Sequence, residues 1–147
     1  MKVYLDACCL GRLTDDQTQR RIREEAEAVE LVLGLVARGS VEWIASEALA
    51  EEIRRNPSAE RRIENETLLA MASKTAEIDD RIAERSHELQ SFGYGAFDAL
   101  HLAAAEAARV DVLLSTDDQF VRRASQGAGR PQVTVRNPLS WVRERRL

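Results

Sequence analysis

The chain has 147 residues, 44% of them hydrophobic and 31% charged, with 25 acidic against 21 basic side chains and a net charge of −4. That length suits one domain, residues 1–147, with a core of its own; the mixture excludes collagen, wholesale disorder and a membrane span, for which ~20 consecutive apolar residues are needed. The negative balance also argues against a surface made for nucleic acid at large, so any such contact has to be local.

Val3-Tyr4-Leu5 is a short apolar run that predicts a buried strand, with Asp6 at its carboxyl end and Ala7 to Gly11 as a following loop. A charged residue so near the start leaves no room for a secretory apolar segment, which predicts a cytoplasmic protein. Cys8 and Cys9 are the only cysteines; adjacent thiols do not readily bridge, and no C-x-x-C spacing is present, so both are expected to be small buried hydrophobes. From Asp15 to Ala37, apolar residues at Ile22, Ala26, Val29, Leu33 and Val36 predict an amphipathic helix, with Asp15 and Asp16 at its dipole-positive end and Gly39 past its stop.

Val41 to Ala45 reads as a second strand, and Ser46 as the N-cap of a helix that runs to Arg55 and is broken by Asn56-Pro57. Helices are expected over 58–72 and 78–90, then a loop at Phe92 to Gly95 and an alanine-rich helix over 96–109 with Asp98 in its first turn. Val110 to Leu114 is a third strand, ended by Ser115-Thr116-Asp117-Asp118, where another helix begins. Val133 to Val135 is a last short strand before Asn137-Pro138 and a terminal helix.

Strands separated by helices predict an α/β fold: a parallel sheet of four to five strands flanked by helices on both faces. Such sheets bind ligands outside the carboxyl ends of their strands. Asp6 and Asp117 lie at that address, Glu51 and Glu52 follow the second strand, and Asp98 joins them if its helix starts there. Carboxylates gathered in one pocket repel, so a cation is expected among them, and an all-oxygen set suits Mg²⁺ or Mn²⁺. Such ions support phosphodiester hydrolysis. On spacing alone the same residues read equally as solvated acids and helix caps.

Four segments, Val-Tyr-Leu-Asp6, Ser46-Glu-Ala-Leu-Ala-Glu-Glu52, Phe-Asp98-Ala-Leu-His-Leu-Ala and Leu-Ser115-Thr-Asp117-Asp-Gln-Phe120, together resemble a PIN domain. The resemblance implies a Mg²⁺- or Mn²⁺-dependent ribonuclease with Asp6, Glu52, Asp98 and Asp117 as the acids. The family's spacing, six residues after Ser46, implies Glu52 rather than Glu51, with Ser46, Ser115 and Asp118 in supporting positions. It further implies the toxin of a VapC-type toxin–antitoxin pair, with RNA as substrate, a homodimer, and an antitoxin that occludes the acids with an arginine or lysine. The alternative is a catalytically silent or regulatory PIN scaffold that acts through protein partners.

Other candidates read more plainly. His101, one turn from Asp98 between two leucines, is expected to be a packed, hydrogen-bonded core residue, and His87 to lie on the surface. A Cys8–His101 nucleophile pair lacks a third orienting group. Lysine occurs only at Lys2 and Lys74, so no lysine follows where a phospho-acceptor receiver would need one. Trp43 and Trp141 are expected in the core. The arginine pairs at 20–21, 54–55, 61–62 and 122–123 and the run at 143–146 are expected mainly as solvated helix faces, with RNA phosphates as the other use.

Overall fold

Val3, Tyr4 and Leu5 have no exposed surface at all. Successive strand residues face opposite sides of a sheet, so a run hidden at every position is covered on both faces. The computed structural model, which describes residues 1–147, makes this run β1 (Lys2–Leu5). The other strands are β2 (Glu42–Ser46), β3 (Lys74–Ala76), β4 (Val112–Leu114) and β5 (Thr134–Arg136). Eight helices flank them: α1 (Ala7–Arg12), α2 (Arg20–Ala37), α3 (Glu47–Arg54), α4 (Ala59–Leu69), α5 (Asp80–Ser91), α6 (Ala96–Ala108), α7 (Asp118–Ser125) and α8 (Pro138–Glu144). No helix is long and apolar enough to cross a membrane.

The strand order is β3-β2-β1-β4-β5, with every pairing parallel. The chain builds outward from β1 to β3, then returns to the other side of β1 for β4 and β5. A reversal of this kind leaves a crevice outside the carboxyl ends of the two strands where it occurs, here β1 and β4. Leu5 pairs with Leu114, and the Asp6 amide donates to the Leu114 carbonyl at 3.2 Å, which sets Asp6 beside Ser115 at the edge of that crevice.

Several elements depart from the sequence expectation. Residues 7–12 form a helix rather than a loop, because Asp6 accepts from the Cys9 amide at 3.0 Å and thereby caps it. A helix turns each successive side chain by about 100°, so the adjacent cysteines part company. Cys9 is buried, as expected, but Cys8 is exposed. Helix α2 begins at Arg20, not Asp15. Asp15 is instead held by Arg12 at 2.8 Å and Arg61 at 2.7 Å, while Asp16 accepts from the Thr18 amide in a local turn. Strand β3 has no apolar run to announce it; its residues are largely exposed and owe their strand state to backbone pairing with β2 at the sheet edge.

Candidate active site

Each acid is placed by a helix terminus or helix turn, and Asp6 and Asp117 follow the carboxyl ends of β1 and β4. Asp6 caps α1, Asp117 caps α7 by accepting from the Gln119 and Phe120 amides at 3.0 and 3.2 Å, and Asp98 lies in the first turn of α6. Glu52 comes from α3, whose start is capped by Ser46. Its Oε1 is 2.8 Å from His101 Nε2. The neighbouring Glu51 instead pairs with Arg54 and Arg55, so the two glutamates point into different surroundings.

One sulfur registers the convergence. Cys8 as a residue reaches the surface, yet its thiol is pushed well above its ordinary range by the protein packed around it, and then by Asp6, Glu52, Asp98 and Asp117, all four of which act on it. Asp98 is pushed up to about 7 by burial first, then by Asp6, with Asp117 and Glu52 adding to the effect and His101 opposing it. Burial also raises Asp6, against the lowering influence of His101, of the nearby Ser115 and of the Cys9 amide; no Ser115–Asp6 hydrogen bond closes in the structure.

Three of these carboxylates are tethered by one oxygen and leave the other without a donor from the chain. Asp6 is held through Oδ1, Glu52 through Oε1 and Asp117 through Oδ1. Asp6 Oδ2 is fully buried and has no hydrogen-bond partner. No three His, Cys, Asp or Glu side chains stand close enough to close a coordination shell as they are placed.

Residues 3–126 match the PIN domain family. The chain belongs to that family. Among solved structures, it is similar to one of VapBC2 from Rickettsia felis bound to a DNA fragment from their promoter. There the TM-score is 0.61 at 14% identity, covering 93% of this chain and 98% of that one. It is also similar to PAE2754 from Pyrobaculum aerophilum, with a TM-score of 0.57 at 16% identity over 100% of this chain and 91% of that one. No curated protein sequence matches it.

The remaining candidates of this PIN domain settle as follows. Ser115 Oγ accepts from the Asp117 amide at 3.1 Å, and Ser46 Oγ accepts from the Leu49 amide while meeting the Tyr4 hydroxyl at 2.6 Å. Asp118 is engaged bidentately by Arg21 at 2.7 and 2.8 Å and is more than half exposed. His101 is buried, with both ring nitrogens used by Tyr4 and Glu52, so no nitrogen is left to activate Cys8. His87 is exposed; Trp43 and Trp141 are buried. Many of the arginines are paired with acids: Arg20 with Glu24, Arg61 with Asp15 and Arg143 with Glu24.

Sequence reasoning missed Tyr4, whose phenol within an otherwise aliphatic buried strand was the available signal, since a buried hydroxyl calls for a partner. It also missed Glu25, which is 1% exposed, accepts from Arg12 Nε at 2.9 Å and Asn137 Nδ2 at 2.5 Å, and lies 3.4 Å from Arg21 Nε.

Proposed function

We propose that this PIN domain is a ribonuclease that hydrolyses RNA phosphodiester bonds with Mg²⁺ or Mn²⁺ held by Asp6, Glu52, Asp98 and Asp117. What supports the reading is that Asp6, Glu52 and Asp117 are each tethered through one oxygen, that all three bear on the charge of Asp98, and that Asp6 Oδ2 is buried without a partner. The donor set fits a hard divalent cation by its chemistry: four carboxylates and no imidazole nitrogen free. Such an ion, when bound, lowers the pKa of a water and offsets charge on the phosphate.

The chain's own contribution is placement. The Cys9 amide and the first turn of α7 fix Asp6 and Asp117 through single oxygens, and His101 does the same for Glu52. Asp98, held near neutrality by burial and by the other acids, gains most from a cation among them. Membership of the family and the pairing of similar structures further support the toxin of a toxin–antitoxin pair. Such a protein would act in the cytoplasm, dimerise with a second copy and be silenced by an antitoxin that inserts a basic side chain among the acids.

The test is cleavage of single-stranded RNA by the purified chain with Mn²⁺ and with chelator. Cleavage that needs Mn²⁺ and disappears in Asp98→Asn is the expected result, with growth arrest on expression lost in the same variant. Mn²⁺ binding that Asp98→Asn does not weaken, or RNA cleavage that survives the substitution, would overturn these roles. Absence of Mn²⁺ binding in the unaltered chain would favour the silent scaffold.

A further inference from the structure

Helix α3 is tied back to itself through three other elements. The Leu49 amide donates to Ser46 Oγ at 3.2 Å, the Ser46 and Tyr4 hydroxyls meet at 2.6 Å, Tyr4 meets His101 Nδ1 at 2.6 Å, and His101 Nε2 meets Glu52 Oε1 at 2.8 Å. The line leaves α3 at its first turn, passes through the end of β2, β1 and α6, and returns to α3 at Glu52. Ser46, Tyr4 and His101 each show 1% exposure or less, so water does not compete for these bonds.

The direction of the line follows from what each group can do. A backbone amide only donates, and a carboxylate only accepts. Ser46 Oγ therefore receives the Leu49 proton, and His101 carries a proton on Nε2 for Glu52. In a neutral imidazole Nδ1 is then an acceptor, so Tyr4 donates to it and the Ser46 hydroxyl donates to Tyr4. A doubly protonated ring would reverse the middle bonds and keep the one from Nε2 to Glu52. Desolvation raises the Tyr4 phenol well above its ordinary range, so it keeps its proton. The imidazole plane is fixed further by Phe97, stacked at 6.2 Å and 25°, with the Arg55 guanidinium 5.6 Å from the Phe97 ring.

We infer that Tyr4 and His101 are positioning residues that lock Glu52 Oε1, so that Oε2 is presented to the acid pocket in one orientation for a divalent cation. The inference rests on the metal reading above. A glutamate free to sample its rotamers must give up that freedom when it ligates, and a partner on its outer oxygen removes the cost beforehand. Glu52 is still partly open to solvent, so without His101 nothing in the chain would hold its carboxylate.

The experiment combines nitrogen NMR of the His101 ring in the metal-free chain with calorimetric Mn²⁺ titration of the unaltered chain, His101→Leu, His101→Gln, Tyr4→Phe and Asp6→Asn. A proton on Nε2 is expected. His101→Leu should weaken Mn²⁺ binding on the order of 10- to 100-fold, the usual effect of losing a ligand's outer partner. His101→Gln, whose amide still donates, should recover most of it, and Tyr4→Phe should fall between. A purely structural role would lower the melting temperature and leave the Mn²⁺ affinity of the folded protein unchanged. That result in His101→Leu, or in Tyr4→Phe should the leucine variant not fold, would overturn the inference, as would an Nε2 that carries no proton. If Asp6→Asn abolishes Mn²⁺ binding while these variants do not weaken it, positioning fails and the metal reading stands. If the unaltered chain binds no Mn²⁺, the metal reading fails and the inference with it.

Discussion

Asp6 and Glu25 are both 1% exposed carboxylates, yet the fold treats them in opposite ways. Glu25 sits among donors: Arg12 and Asn137 reach its two oxygens, and Arg21 stands 3.4 Å away. Asp6 has one backbone donor, a second oxygen with none, and Glu52 and Asp98 as charged neighbours. A buried charge costs several kcal/mol unless paired. At Glu25 the chain supplies the pairing and ties α1, α2 and α8 together. At Asp6 it withholds it, and burial raises the carboxyl pKa accordingly. The contrast teaches that burial does not mark a functional acid; the partners do.

The sharpest way to break this contrast is to neutralise each carboxylate in turn. Glu25→Gln leaves Arg12 with Asp15 as its charged partner and should cost about 1–3 kcal/mol. Its RNA cleavage should persist at temperatures where it stays folded. Asp6→Asn relieves repulsion, so its melting temperature in chelator should hold or rise, while Mn²⁺-dependent cleavage falls on the order of 100-fold or more. Thermal melts and cleavage assays on the pair check both arms. Equal stability losses in the two variants would erase the distinction.

A second prediction sharpens it through pH. Asp98 has a folded pKa of about 7 against an ordinary 3.8, chiefly through burial. Between those values the fold keeps a proton that the unfolded chain has released, so the Asp98 contribution to stability is full below about pH 4 and is lost as pH rises to about 7. The decline in chelator should amount to roughly 2 kcal/mol, about half of the full shift at ~1.4 kcal/mol per unit, because the pocket is partly open to water. Melts from pH 5 to pH 8 should show it, Asp98→Asn should flatten it, and Mn²⁺ should restore stability at pH 8. A flat profile in the unaltered chain would remove the electrostatic cost assigned to the pocket.

What was legible follows from the range of each interaction. Strands β1, β2 and β4 announce themselves as apolar runs because their neighbours cover both faces, and Ser46, Asp117 and Asn137 announce helix starts because a cap acts within three residues. The address of Asp6 and Asp117 was readable for the same reason, since each directly follows or caps a central element. Strand β3 was not, because its state depends on an edge of β2 about thirty residues away. Nor was the inward turn of Glu25 beside the outward Glu24: its partner Asn137 lies 112 positions on, and no local period encodes that meeting. Tyr4 and His101 are 97 apart for the same kind of reason.

The smallest expected effect is at Asp118, which the sequence places beside the acids and the structure places on Arg21. Arg21 is half exposed and Asp118 more so, and such a pair contributes less than about 1 kcal/mol. Arg21 also stands near Glu25, so Asp118→Asn frees it to serve that buried carboxylate alone. The melting temperature should therefore move by a few degrees at most, less still at high salt, and Mn²⁺-dependent cleavage should stay within about threefold of the unaltered chain. Parallel melts and RNA assays at low and high ionic strength measure this. A tenfold loss of cleavage without a loss of stability would move Asp118 from the paired carboxylates to the unpaired ones. Arg21 would then join the two regions that the comparison keeps apart.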